Sequence, residues 1–159
     1  MNFLEQLTKE WYELQGYFVQ TNLKFGKRSR GGWEGEIDVA AFHPRTGELV
    51  HIETSMDADS WEERRKRFNR KFRSVEPYLS KLFSFPIKTV RCVAIVGFSP
   101  TSEPSVLGKA IEAKSLAQLV DEVCKNLRRR HPLKEAVPET LPLLRAMQFA
   151  VHWGHNKVR

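Results

Sequence analysis

Between Glu36 and Ser55 the chain reads EIDVAAFHPRTGELVHIETS, two strand-like runs and a turn between them. In the first run Ile37, Val39 and Ala41 alternate with Asp38, Ala40 and Phe42, the period of a strand. Pro44, Arg45, Thr46 and Gly47 supply hairpin-turn chemistry. In the second run Val50, Ile52 and Thr54 share one face, and Leu49, His51, Glu53 and Ser55 share the other. Pairing the two strands brings Asp38 and Glu53 close together. Two neighbouring carboxylates repel each other and lose hydration when buried. A divalent cation between them offsets both effects, and Mg²⁺ favours oxygen ligands of this kind. The hairpin is therefore a candidate metal platform. An acid on the solvated face of a hairpin is equally ordinary, so the surroundings have to decide.

A chain of 159 residues suits a single domain, 1–159, with a proper core. Hydrophobic content of 41% and mean hydropathy of −0.46 are those of a soluble globular protein. No apolar run reaches spanning length, so no membrane association is expected. The first residues lack the basic start and apolar block of a signal peptide, and the expected location is cytoplasmic. Cys92 and Cys124 sit in an apolar strand and an amphipathic helix and read as small core residues. His152 and His155, the one close pair of soft ligands, lack a cysteine pair to complete a zinc site.

The net charge is +7 and the pI about 9.6, which favours an anionic partner, nucleic acid above all. The placement of the charge is more informative. Asn2 caps a first helix to Gln15 with a stripe of Phe3, Leu4, Leu7, Trp11 and Leu14, and Gly16 stops it. Glu5 lies beside that stripe. It reads either as a group aimed at whatever the helix covers or as an acid favoured by the helix dipole. Tyr17 to Phe25 is a strand. Gly26 to Gly32, GKRSRGG, is a loop whose Lys27, Arg28 and Arg30 suit phosphate contacts, with Trp33 next to it as an anchor or a stacking platform.

Ser60 caps a helix from Trp61 to about Phe72, with a second segment past Pro77 to Leu82. Its core-facing stripe is Trp61, Phe68, Phe72, Val75 and Leu79. The remainder is basic: Arg64, Arg65, Lys66, Arg67, Arg70, Lys71 and Arg73 are seven cations in ten positions. Such density points to phosphate binding. Lys88 to Gly97 is a strand whose run from Val93 to Val96 suggests a central position. After a Ser- and Pro-rich loop over Phe98 to Ser105, Val106 to Ala113 reads as a short edge strand. Ser115 caps a helix to about Arg130, and Pro138 to Trp153 is a final helix.

This order, helix, three strands, helix, strand, helix, resembles the restriction-endonuclease-like superfamily, the PD-(D/E)xK nucleases, over roughly Asn2 to Gly97. Asp38 in EIDV stands at the place of the family's Asp, and Glu53 in IETS at the place of its Glu. Glu5 resembles the helix-one Glu that many members add to the metal site. The implied fold is α/β: a restriction-endonuclease-like core, α-β-β-β-α-β, with a central mixed β-sheet flanked by helices and extra C-terminal helices. One departure matters. The family's lysine falls two residues after the Glu, and that residue is Ser55. Either another cation reaches the site, or the site is impaired. Arg64 and Arg65 lie one turn into the basic helix, Lys71 lies on a flank of its stripe ~15 Å along from Trp61, and Lys24 on the first strand is a further candidate.

The resemblance implies a Mg²⁺- or Mn²⁺-dependent endonuclease. Asp38 and Glu53, aided by Glu5, would hold the metal, which lowers the pKa of a bound water and polarises the scissile phosphate. Glu36 lies near as a further acid, and His51 reads as a surface imidazole. Arg64, Arg65, Lys66, Arg67, Arg70 and Lys71 would hold the backbone of a nucleic acid, DNA first, together with the Gly26 to Gly32 loop. A homodimer is admitted, since this fold commonly cuts duplex as a dimer. The alternative is a nucleic-acid-binding or assembly module of the same fold without catalysis.

Overall fold

The computed structural model describes residues 2–98, 107 and 110–154. Asn2 forms a capping box with Glu5 and opens helix α1 (Phe3–Leu14). Gly16, at φ +88°, takes the left-handed conformation that lets the Tyr17 N–H donate back to the Tyr12 carbonyl. Three strands follow: β1 (Phe18–Lys27), β2 (Trp33–His43) and β3 (Glu48–Ser55). Ser60 Oγ accepts from the Glu63 N–H to start α2 (Trp61–Val75). A 3₁₀ turn over Glu76–Tyr78 carries Pro77 in its first turn, where a missing N–H costs little, and short α3 (Leu79–Leu82) succeeds it. Then come β4 (Thr89–Val96), β5 (Ile111–Ser115), α4 (Leu116–Arg128), capped by Ser115, and α5 (Pro142–Trp153).

The strands form one five-stranded mixed sheet in the order β1-β2-β3-β4-β5. β1–β2 and β2–β3 are antiparallel, β3–β4 and β4–β5 parallel. Helices cover both faces. Leu4, Leu7 and Trp11 of α1 join Leu119, Val123 and Leu127 of α4 and Leu144 of α5 over Val39, Ala41, Val50, Ile52, Val93 and Ile95. Phe68 and Phe72 of α2 pack on Ala94, Val96 and Ile111 on the other face, and Val75 packs on Ala40 and Leu49. Each such buried large side chain contributes ~1.5–3 kcal/mol relative to an exposed one. β3 has β2 on one side and β4 on the other and is buried at five consecutive positions, Leu49 to Glu53. No helix of the described residues is long and apolar enough to cross a membrane.

Some boundaries differ from the sequence expectation. β1 runs on to Lys27, which pairs with Trp33, so the expected loop over Gly26 to Gly32 shrinks to a turn at 28–32. The strand expected over Val106 to Ala113 is β5, displaced to Ile111–Ser115; residues 106, 108 and 109 lie outside the described residues, as do 99–105 of the expected loop and His155. The last helix begins at Pro142 because proline is preorganised for the first helical position. Cys92 and Cys124 are half-buried free thiols.

The alternation of β2 also breaks. Val39 and Ala41 pack on the α1 side, whereas Ile37 packs with Ala40, Leu49 and Val75 on the α2 side. Opposite Asp38, between the pairs Thr21–Val39 and Leu23–Ile37, stands Asn22 with φ +53°. Asparagine tolerates this conformation better than most residues, and it stands where β2 changes face at Asp38.

Candidate functional site

The β2–β3 pairing ends at Val39–Ile52, and Asp38 and Glu53 are the next residue on each strand. Asp38 Oδ2 accepts from the Thr54 N–H at 2.8 Å and from Thr54 Oγ1 at 3.3 Å, which fixes the carboxylate beside β3. The third participant comes from α2. Lys71 Nζ lies 3.2 Å from Asp38 Oδ1 and donates to Glu53 Oε2. The ammonium thus joins both carboxylates.

The path of α2 explains this. After the 56–60 connection the helix runs back along β3, so side-chain pairs descend both elements together: Arg64 with Asp57, Arg67 with Ser55, Lys71 with Glu53, Phe72 with His51. Seven helical residues rise ~10 Å, about the length of three strand residues at ~3.3 Å each. The distance of Lys71 along the helix is therefore what returns it to the carboxylates.

His51 is 1% exposed, and its Nε2 lies 2.7 Å from Glu53 Oε1. Its ring meets Phe72 edge-on, centroids 4.5 Å apart. The expectation of a surface imidazole is overturned. β3 lies between β2 and β4 with helices over both faces, so a side chain at its middle has no route to solvent.

Glu53 is 1% exposed and Lys71 35%. Burial pushes the Glu53 carboxyl above its ordinary pKa, even though His51 and Lys71 favour the charged form. Partial burial pulls Lys71 down, but Glu53 and then Asp38 outweigh it, so its pKa is raised. Desolvation wins at the sealed group and ion pairing at the more open one.

The other expected site residues fall into distinct places. Both Glu5 carboxylate oxygens accept from Asn2 in the helix cap. α1 covers the Val39 and Ile52 face, opposite the face of Asp38 and Glu53, so Glu5 is not brought to them. Ser55 Oγ donates to Asp57 Oδ2 and accepts from Arg67 Nη2 at 3.0 Å. Arg67 also binds Asp57 and Asp59. Burial of Asp57 is outweighed by Ser55, the Asp59 N–H and Arg67, and its pKa is lowered. Arg64 is fully buried and donates to the Asp57 and Phe98 carbonyls, which removes it from any phosphate-contacting face. Its long apolar stem and proximity to Trp61 place it in the stripe that the sequence assigned to apolar residues.

Arg65, Lys66 and Arg70 stay exposed on α2. Lys27, Arg28 and Arg30 are exposed at the tip of the β1–β2 hairpin beside Trp33, and Lys24 is exposed on β1 opposite Glu36. Between hairpin and helix runs a cleft of about 330 Å³ lined by Phe25, Glu34, Gly35, Glu36, Arg70, Lys71 and Ser74. Gly35 lets the two strands close here, since a Cβ would meet the Phe25 ring at 2.4 Å.

The donor chemistry of Asp38 and Glu53 suits a hard divalent cation. Both side chains reach one cationic atom, the Lys71 ammonium, so they converge on a position that accepts positive charge. Among the described residues no group of three or more His, Cys, Asp or Glu is arranged to hold a metal ion. Neither a family model, nor a curated protein, nor a solved structure matches the chain.

Proposed function

We propose that the chain is a restriction-endonuclease-like nuclease, a divalent-metal-dependent endonuclease that hydrolyses phosphodiester bonds, with DNA as its first-choice substrate. The observation that carries the reading is Lys71: α2 delivers an ammonium to the paired carboxylates Asp38 and Glu53. This supplies from a helix the cation that Ser55 lacks. A bound Mg²⁺ or Mn²⁺ would lower the pKa of a coordinated water and polarise the scissile phosphate. Asp38 and Glu53 would hold that ion. Lys71 balances their charge and stands ready to orient an attacking water or to stabilise charge on the phosphorane. Arg70 lines the cleft, and exposed Arg65 and Lys66 on α2 and Lys27, Arg28 and Arg30 at the hairpin tip suit backbone phosphates.

A binding module without catalysis is the second reading, and one observation favours it. Lys71 already neutralises both acids, as a structural ion pair does. Plasmid nicking separates the two. Wild type should convert supercoiled DNA to open circles in Mg²⁺ or Mn²⁺. Asp38→Ala should abolish conversion and leave DNA affinity in Ca²⁺ within about twofold, because exposed cations rather than Asp38 carry the phosphate contacts. Absence of cleavage in either metal on duplex, single-stranded and branched DNA and on RNA would hand the site to the binding module.

A further inference from the structure

We infer that His51 is a positioning residue for Glu53. The inference rests on the nuclease reading of Asp38 and Glu53. The two oxygens of Glu53 have separate partners: Oε1 meets His51 Nε2 at 2.7 Å, and Oε2 receives Lys71. A buried glutamate has three side-chain torsions to fix, and a carboxylate that rotates about the last one presents either oxygen. His51 removes that freedom. Its Nε2–H donates to Oε1, which leaves Oε2 alone turned toward Asp38 and the cation position.

The ring is itself held. Its strand is flanked on both sides, it is 1% exposed, and Phe72 of α2 closes over it edge-on at 4.5 Å. A short hydrogen bond to a carboxylate in a dry setting is among the stronger kinds and specifies direction as well as distance. The partners behind a metal-binding carboxylate orient it, and their loss typically costs metal affinity or activity. Leu49, His51 and Glu53 alternate along one face of β3, so the imidazole and the carboxylate are neighbours by strand geometry.

The rival account is a core histidine that only fills space, and two substitutions order the accounts oppositely. His51→Phe keeps the ring against Phe72 and removes the donor. His51→Gln loses the ring and keeps an N–H at about the position of Nε2. Positioning predicts that His51→Phe weakens Mn²⁺ binding, read by calorimetry and electron spin resonance, by about 10- to 100-fold, while His51→Gln stays within about threefold of wild type. kcat should fall in His51→Phe with KM for DNA nearly unchanged, since the phosphate contacts are elsewhere. Space filling predicts the reverse order, with His51→Gln the damaged variant, and that order overturns the inference.

Wild type and Asp38→Ala are measured alongside. Mn²⁺ binding that does not depend on Asp38 overturns the metal-site reading, and the role of His51 with it. Binding that depends on Asp38 but is indifferent to His51→Phe overturns the role of His51 alone. Should His51→Phe not fold, nitrogen-15 spectra of the wild-type histidines with Mg²⁺ decide: a proton on Nε2 of His51 is expected, and a bare Nε2 overturns the inference.

Discussion

Ser55 and Lys71 occupy complementary positions. Ser55 stands where the family resemblance asks for a lysine, but its hydroxyl is committed to Asp57 and Arg67. Lys71, from the facing helix, reaches Asp38 and Glu53 instead. Lys71→Ala should therefore slow plasmid nicking by about 10²- to 10³-fold, the usual loss when one preorganised charge-stabilising group is removed. Ser55→Lys should gain nothing in the wild-type background, where the cation is already supplied. In the Lys71→Ala background it should recover part of the rate, because residue 55 shares its strand face with Glu53. A Lys71→Ala protein that nicks at the wild-type rate would remove Lys71 from the mechanism.

Helices here are fastened by groups from other elements as well as by their own caps. α5 begins at Pro142 with no side-chain cap from Leu141. The cap comes from α1: Glu10, fully buried, accepts from the Leu144 N–H at 3.0 Å through Oε2 and from Gln6 Nε2 at 2.7 Å through Oε1. A carboxylate at a helix N-terminus satisfies an orphan donor and complements the helix dipole. Gln148, also fully buried, ties the preceding linker by accepting from Val137 N–H and donating to the Arg130 and Glu135 carbonyls. Glu10→Ala should lower unfolding free energy by about 1–3 kcal/mol in urea titrations, the range for stranding one buried donor. Glu10→Gln, which keeps an acceptor, should cost less. Equal stability of Glu10→Ala and wild type would show that the packing of α1 on α5 is not held by this bond.

At the scale of the molecule, the excess of positive charge divides into committed and available cations. Arg64 and Arg67 are consumed by the 57–59 segment and by Phe98. Arg65, Lys66 and Arg70 remain exposed, and Lys66 forms a surface pair with Glu62 at 2.7 Å. Such a pair is worth little and yields readily to a phosphate. Substituting Arg65, Lys66 and Arg70 by Gln should flatten the dependence of log affinity on log salt for duplex DNA by about 0.9 for each phosphate left without its cation. Arg64→Gln and Arg67→Gln should leave that slope in place and lower thermal stability. Anisotropy titrations at several salt concentrations check both. A slope that responds to Arg67 but not to Arg70 would relocate the binding face.

By itself the sequence determined the periodicities, and through them the elements. Asn2, Ser60 and Ser115 cap helices as their chemistry requires, and the 36–55 run pairs as two strands that carry Asp38 and Glu53 side by side. These are local matters, set by hydrogen bonds within a few residues and by a period of two. The direction in which α2 recrosses the sheet is not local. It decided that Lys71, rather than Arg64, Arg65 or Lys24, meets the carboxylates. It also sealed Arg64 under the 57 and 98 carbonyls and closed Phe72 over His51. Glu5 was legible as a cap and was kept from the site only by the face α1 chose to cover. Which face a helix covers, and which way it runs, follows from the burial of Phe68, Phe72 and Val75 against strands far away in sequence, and no spacing along the chain records that.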